Sequence, residues 1–233
     1  MDFASILYII TAPVKSRELQ AFSRAMEQSQ LFSPESGLPE GMVYLPDFIS
    51  PAEERDLLDC VRSLPLHEAR YKEWDAKRRI VSYGGRYDFS RNQLLPADPV
   101  APFLHPLRDR IAQWSGIPAL QLGYALVSEY SPGTQLGWHR DVHHFEEVVG
   151  VSLAGPGRMR LRPYPPQEGR GRATLTLDVA PRSAYILRGP SRWDWQHAIS
   201  PTKALRYSIT FRTPRPAVSG VGHRPTSFHG SPA

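Results

Sequence analysis

The sequence predicts a mainly β, α+β fold of sandwich or jelly-roll type with its helices placed first. Three observations predict it. Helical periodicity is confined to the chain before residue 117; beyond that point the apolar pattern switches to period two over seven short runs; and those runs are cut by Gly, Pro and charged turns. Helices followed by strands argue for segregated layers, in contrast to an alternating parallel sheet. The 233 residues, 41% of them apolar and 22% charged, suffice for one core. Cys60 is the sole cysteine, which excludes a disulfide framework and any Cys-rich metal knuckle.

Taken in order, Leu19, Phe22, Met26 and Leu31 recur at helical spacing until Pro34 and Gly37 end the pattern, predicting an N-terminal helical extension over residues 1–37. Residues 38–213 form the predicted main domain. Its first helix starts after Ser50, which can cap, with Pro51 suited to the first turn, Glu53 completing a Ser-x-x-Glu box, and Leu57, Leu58, Val61 and Leu64 as the buried stripe. Another helix is predicted over 102–115, with Leu104, Leu107, Ile111 and Trp114 on one face and Gly116 at its end. The strands follow at 124–127, 148–153, 159–162, 173–177, 184–187, 195–198 and 206–212. Residues 214–233, rich in Pro, Gly, Ser and Thr, read as a disordered tail. The longest apolar run, residues 3–10, is far shorter than the roughly 20 residues of a membrane span, so no membrane partner and a cytoplasmic location are expected.

Charge is unevenly placed. The net charge is +5, yet residues 158–233 hold thirteen Lys and Arg against Glu168, Asp178 and Asp194. A basic half attracts nucleic acid or acidic small molecules; a solvated basic face is the plainer reading. Arg158, Arg160 and Arg162 alternate on one predicted strand, where they suit either a phosphate track or a charged edge that discourages strand pairing.

Two constellations carry chemistry. Along residues 206–212, Tyr207, Ile209 and Phe211 share one strand face, while Arg206, Ser208, Thr210 and Arg212 share the other. The polar face lines either solvent or a polar cavity, and its arginines, roughly 20 Å apart along the strand, can lean toward a shared anion. The second is His139-Arg140-Asp141, with His197 further on. Two His and one carboxylate with open positions make the facial triad of non-haem Fe(II) oxygenases, although zinc accepts the same ligands and His143 and His144 are rivals. Order and spacing strengthen the signal: His-x-Asp, a His beyond it, then two arginines. A 2-oxoglutarate dioxygenase needs metal ligands for the keto-acid end of its cosubstrate and a cation for the far carboxylate, and the guanidinium fork is suited to the latter.

At Glu129-Tyr130-Ser131-Pro132-Gly133, Gly137-Trp138-His139-Arg140-Asp141, Val149-Gly150-Val151-Ser152-Leu153 and Arg206-Tyr207-Ser208-Ile209-Thr210-Phe211-Arg212, the sequence resembles the AlkB-like Fe(II)/2-oxoglutarate dioxygenases of alkylated nucleic acid repair. The resemblance implies a double-stranded β-helix with N-terminal helices and a nucleotide-recognition lid. It implies iron held by His139, Asp141 and His197, and 2-oxoglutarate held by Arg206, Arg212 and Tyr130, with O2 as cosubstrate. Ser128 stands where well-known members have Asn, and retains one hydroxyl for the cosubstrate.

The activity implied is hydroxylation of an alkyl group on a nucleobase nitrogen, with release of an aldehyde, succinate and CO2, acting on alkylated DNA or RNA as a monomer. A flipped base needs a stacking pocket. The lid is expected at about 70–91, where Trp74, Tyr83, Tyr87 and Arg79 are the candidate substrate contacts. Tyr83 and Tyr87 serve equally as core residues. Trp138 is a further candidate, although packing around the site is the plainer role for it and for Trp193 and Trp195. Protein hydroxylation or demethylation on the same scaffold, and a non-catalytic nucleic-acid-binding jelly roll, are the competing readings.

Overall fold

A computed structural model describes residues 37–71, 74–166 and 174–216, excluding the side chains of 70–76. The chain divides into two units, Met1–Leu38 and Pro39–Ala233, of which the second is described here. The expected N-terminal helix and most of the expected tail lie outside the described residues.

Residue alternation on two kinds of strand builds the second unit. Seven strands form one sheet: β1 (Met42–Leu45), β2 (His67–Tyr71), β3 (Trp74–Tyr83), β6 (Tyr124–Tyr130), β8 (Phe145–Ala154), β11 (Ala184–Leu187) and β13 (Arg206–Pro214), ordered β1-β11-β8-β13-β6-β3-β2. A four-stranded sheet contains β7 (Leu136–His139), β9 (Gly157–Pro163), β10 (Leu175–Val179) and β12 (Trp195–Ile199), ordered β10-β9-β12-β7. A hairpin of β4 (Arg86–Asp88) and β5 (Gln93–Leu95) stands apart. All pairings given by register are antiparallel, as expected of a jelly roll. Each of the seven predicted strand runs meets an observed strand. The segment called a lid is largely strand, and its charge-rich sequence concealed the β2-β3 pair.

Helices cover the outer face of the large sheet. Helix α1 (Pro51–Arg62) begins with the full capping box, Glu53 N donating to Ser50 Oγ and Ser50 N to the Glu53 carboxylate. It buries Leu57, Leu58 and Val61 and ends before Leu64, which is only partly buried. Helix α2 (His105–Ser115), preceded by a 3-10 turn at Pro102–Leu104, stops at Gly116, whose φ of 74° is the left-handed conformation favoured by glycine. Leu104, Leu107 and Ile111 are buried as predicted, whereas Trp114 is half-buried, tilted against Phe48 at 5.1 Å. Against these helices lie Tyr207, Ile209 and Phe211 of β13 and Val149, Val151 and Leu153 of β8. Burying such side chains stabilises by about 1.5–3 kcal/mol each. The apolar face of β13 is thereby committed to the core, so its polar face turns inward between the sheets. A short helix, α3 (Pro190–Trp193), and a 3-10 turn at Ala119–Gln121 lie after residue 117, contrary to expectation.

Candidate metal and cosubstrate site

Antiparallel pairing of β7 with β12 sets His139 directly opposite His197, with ring centroids 4.2 Å apart. Asp141 follows two residues after His139, in the loop that leaves β7. One ligand atom from each of His139, Asp141 and His197 lies within 4.8 Å of the others, whereas His143 and His144 take no part in the group. His139 Nδ1 lies 2.8 Å from the Gly137 carbonyl. Donation there fixes the tautomer and leaves Nε2 for a metal.

Electrostatics put all three ligands in the right protonation state. Burial lowers His139 despite the pull of Asp141. Burial and the neighbouring His139 bring His197 down to about 3, so both imidazoles are neutral at pH 7. Burial by itself would raise the Asp141 carboxyl; Arg212, then His197, His139 and Arg192, outweigh it and hold the group well below the usual carboxylate range. Arg212 grips Asp141 Oδ1 through Nε at 2.9 Å and Nη2 at 2.8 Å. Two neutral imidazoles and one carboxylate, with a hydrogen-bonded outer shell, fit a ferrous ion.

A polar cavity adjoins the triad. Arg206, 1% exposed, enters it from β13, and Ser152 Oγ accepts its Nε at 3.0 Å. Its Nη1 is buried with no partner. Cross-strand register aligns Ser128, Ser208 and Ser152 in one row and sets Tyr130 beside Arg206. A buried guanidinium with a free N–H, surrounded by hydroxyls, is a fitting seat for a carboxylate. Of the two alternatives for the polar face of β13, solvent or a polar cavity, the structure has the cavity: Arg206, Ser208 and Thr210 are all buried.

Three further residues, Tyr185, Arg192 and Arg78, shape the site beyond the candidates named from the sequence. Tyr185 lines the same cavity, opposite Gly150, and burial pushes its hydroxyl up to about 12. A Cβ on Gly150 would fall 2.3 Å from that ring. Arg192 of α3, 2% exposed, donates through Nη2 to the carbonyls of Asp141, Val142 and Phe145 at 3.1, 2.9 and 2.8 Å, fastening the loop that carries the third ligand. Arg78 of β3 lines this polar cavity and also a second, larger one. For Tyr185 the available signal was its alternation in a short buried strand; for Arg78 it was its place among the cations of residues 70–91; for Arg192 there was none, because its partners are distant in sequence.

The second cavity has a volume of about 290 Å³ and opens over His139 and Asp141. Tyr87, Phe89, Tyr124 and Phe145 form much of its wall. Tyr87 is hydrogen-bonded to Asn92 and lies edge-on to Phe89 at 4.9 Å. The other candidate substrate residues are not brought here. Tyr83 is buried in the core. Arg79 points to the other face of β3, pairing with Glu129 at 3.0 Å and the Leu66 carbonyl at 3.1 Å, while its neighbour Arg78 enters the cavity. Trp138 takes the opposite face of β7 from His139, as strand neighbours must, and lies under Arg160 and Arg162 at 4.9 and 4.4 Å. The Trp74 side chain lies outside the described residues. Arg158 pairs with Asp178 at 3.0 Å, and Arg162 Nε donates to Gln196 at 2.9 Å.

A family model described as "2OG-Fe(II) oxygenase superfamily" matches residues 41–212, which include every ligand and arginine above. The chain belongs to that superfamily, on its AlkB-like branch. An Arabidopsis thaliana protein named "Alkylated DNA repair protein ALKBH8 homolog" is 30% identical over 190 residues, 72% of this chain and 53% of that protein. A Danio rerio protein named "Probable RNA/DNA demethylase ALKBH6" is 26% identical over 171 residues, covering 69% of this chain and 70% of its own. This AlkB-like chain spans about half the length of the Arabidopsis relative. Among solved structures, OsALKBH1 superposes with a TM-score of 0.60 at 17% identity over 76% of this chain and 99% of its own, which establishes the double-stranded β-helix. Enzymes of the superfamily use Fe(II), 2-oxoglutarate and O2. Among the described residues, no helix is long and apolar enough to cross a membrane.

Proposed function

We propose that this AlkB-like oxygenase oxidatively dealkylates N-alkylated bases in DNA or RNA, acting as a cytoplasmic monomer. The observation that carries the reading is that His139 and Asp141 border both cavities, so the metal ligands face the cosubstrate seat on one side and an aromatic-walled chamber on the other. His139, Asp141 and His197 would hold iron. Arg206, with Tyr130 and Ser128, would take the distal carboxylate of 2-oxoglutarate, and Arg212 would steady both Asp141 and the cosubstrate. When bound, iron, 2-oxoglutarate and O2 supply an oxidant that hydroxylates an unactivated C–H bond, leaving succinate and CO2.

The protein's own part is positioning. Neutral imidazoles and an ionised Asp141 accept the metal without first losing protons. Tyr87 and Phe89 offer a stacking wall for an everted base, presenting its alkyl group toward His139 and Asp141. The hydroxylated alkyl group on a ring nitrogen is a hemiaminal, which collapses to the free base and an aldehyde. Arg158, Arg160 and Arg162 remain the proposed phosphate contacts, two of them steadied on Trp138.

With Fe(II), 2-oxoglutarate and O2 supplied, formaldehyde from a methylated oligonucleotide and succinate from 2-oxoglutarate are expected in equal amounts. Succinate release stimulated by a methylated or prolyl peptide, with no formaldehyde from any oligonucleotide, would instead move the substrate to protein.

A further inference from the structure

The larger cavity carries an excess of positive charge. Arg78, Arg86, Arg140 and Arg212 line it, and Asp141 is the one acid among its described lining residues. Arg212 already neutralises Asp141. Arg140 donates to the Trp193 carbonyl at 2.8 Å and lies over the Tyr164 ring, and neither contact cancels its charge. Arg78 is the least satisfied: Nη1 reaches the Tyr130 hydroxyl at 3.5 Å, and Nε is buried with no acceptor. Iron(II) and the 2-oxoglutarate dianion are equal and opposite, so loading the centre leaves this excess in place.

Guanidinium groups donate, never accept, and keep their charge. A buried N–H without an acceptor is costly, and a ligand oxygen placed against it recovers that cost. N-alkylated bases fall into two chemical classes on this test. N1-methyladenine and N3-methylcytosine are cations at neutral pH with an amino group beside the alkylated nitrogen. N3-methyluracil, N3-methylthymine and N1-methylguanine are neutral, with a carbonyl oxygen at the ring position where adenine and cytosine carry the amino group; N3-methylcytosine keeps its C2 carbonyl and N1-methylguanine its C2 amino group, so charge is what separates the classes.

We infer that the cavity selects the second class: neutral bases with a carbonyl where adenine and cytosine carry the amino group, with Arg78 as the residue that reads that carbonyl. Arg78 lies with His139 and Asp141 on the border of both cavities, within reach of the atoms next to an alkyl group aimed at the metal ligands. A cationic base meets repulsion from three uncompensated arginines, Arg78, Arg86 and Arg140, and offers its amino donor to another donor. The inference rests on the base-dealkylation reading above.

The test is anaerobic equilibrium binding by the full chain loaded with Fe(II) and 2-oxoglutarate. The probes are single-stranded oligonucleotides of one sequence carrying N3-methyluridine, N1-methylguanosine, N1-methyladenosine, N3-methylcytidine or the unmodified bases. The neutral methylated bases are expected to bind about tenfold or more tighter than the cationic ones, a modest share of what one uncompensated charge can impose. Arg78→Met should lower that ratio several-fold, with Arg86 and Arg140 keeping the remainder, and Arg78→Lys should retain more of it by keeping the charge; a 2-oxoglutarate titration of each variant shows that the cosubstrate seat survives. Cationic bases binding as tightly as neutral ones, or an undiminished ratio in Arg78→Met, overturns the inference while leaving base dealkylation intact. Failure of every methylated probe to surpass its unmodified counterpart overturns both.

Discussion

On the proposed function, the residue that most directly seats the cosubstrate is Arg206, and its geometry explains why lysine would not replace it. Ser152 takes Nε, leaving Nη1 buried and free to meet a carboxylate. Arg206→Met should weaken 2-oxoglutarate binding by about 2–5 kcal/mol, read by calorimetric titration of the metal-loaded protein. Retained affinity would remove Arg206 from that role. Arg192 acts at one remove, through the carbonyls of the Asp141 loop. Arg192→Met is expected to lower metal affinity about 10–100-fold, measured by Mn(II) titration, with a smaller effect on 2-oxoglutarate bound to whatever fraction is metallated. The two ligand histidines also set a pH dependence. His197 is held down at about 3 and His139 is lowered too, so between the ordinary histidine value and that of His197 the unfolded chain binds protons that the native metal-free site refuses. Native stability therefore falls as pH drops through this window, by up to about 1.4 kcal/mol per pH unit per histidine. Urea unfolding at pH 7 and pH 5 checks the sign, and His197→Phe should flatten the slope.

At the scale of elements, the site depends on strands whose two faces do different work. β13 was legible because its period-two pattern separates Tyr207, Ile209 and Phe211 from Arg206, Ser208, Thr210 and Arg212 without help from the rest of the chain. His139, Asp141 and His197 were legible for a related reason: their types and order are chemically restrictive. The same alternation argues against Trp138, which must face away from the metal if its neighbour His139 faces it. Arg78 and Arg79 show what could not be read. In the charge-rich β3 either arginine suits a cavity, and register with β6, a tertiary fact, decides between them. Close packing of β8 against β11 gives a further prediction. Gly150→Ala places a methyl group against the Tyr185 ring, costing about 1–3 kcal/mol in thermal or urea unfolding and weakening 2-oxoglutarate. Pairing it with Tyr185→Leu should restore much of the stability; equal stability of Gly150→Ala and wild type would mean the contact is loose.

Over the whole molecule, the sheets divide the labour. Helices α1 and α2 bury the outer face of the large sheet, forcing its arginines inward, while the small sheet supplies both histidines. The jelly roll was readable from helices first and strands after; the placement of α3 and of the β2-β3 pair was not, since neither has a strong apolar period. The central claim is that one centre joins three ligands from the small sheet side to a diacid held by the large sheet. The most direct measurement is the visible charge-transfer absorption that arises when 2-oxoglutarate chelates Fe(II) anaerobically. The account predicts the band in the wild-type protein, its loss in His197→Ala, and its recovery only at much higher 2-oxoglutarate in Arg206→Met. No band in the wild type, or the same band at the same concentrations in both variants, would contradict it.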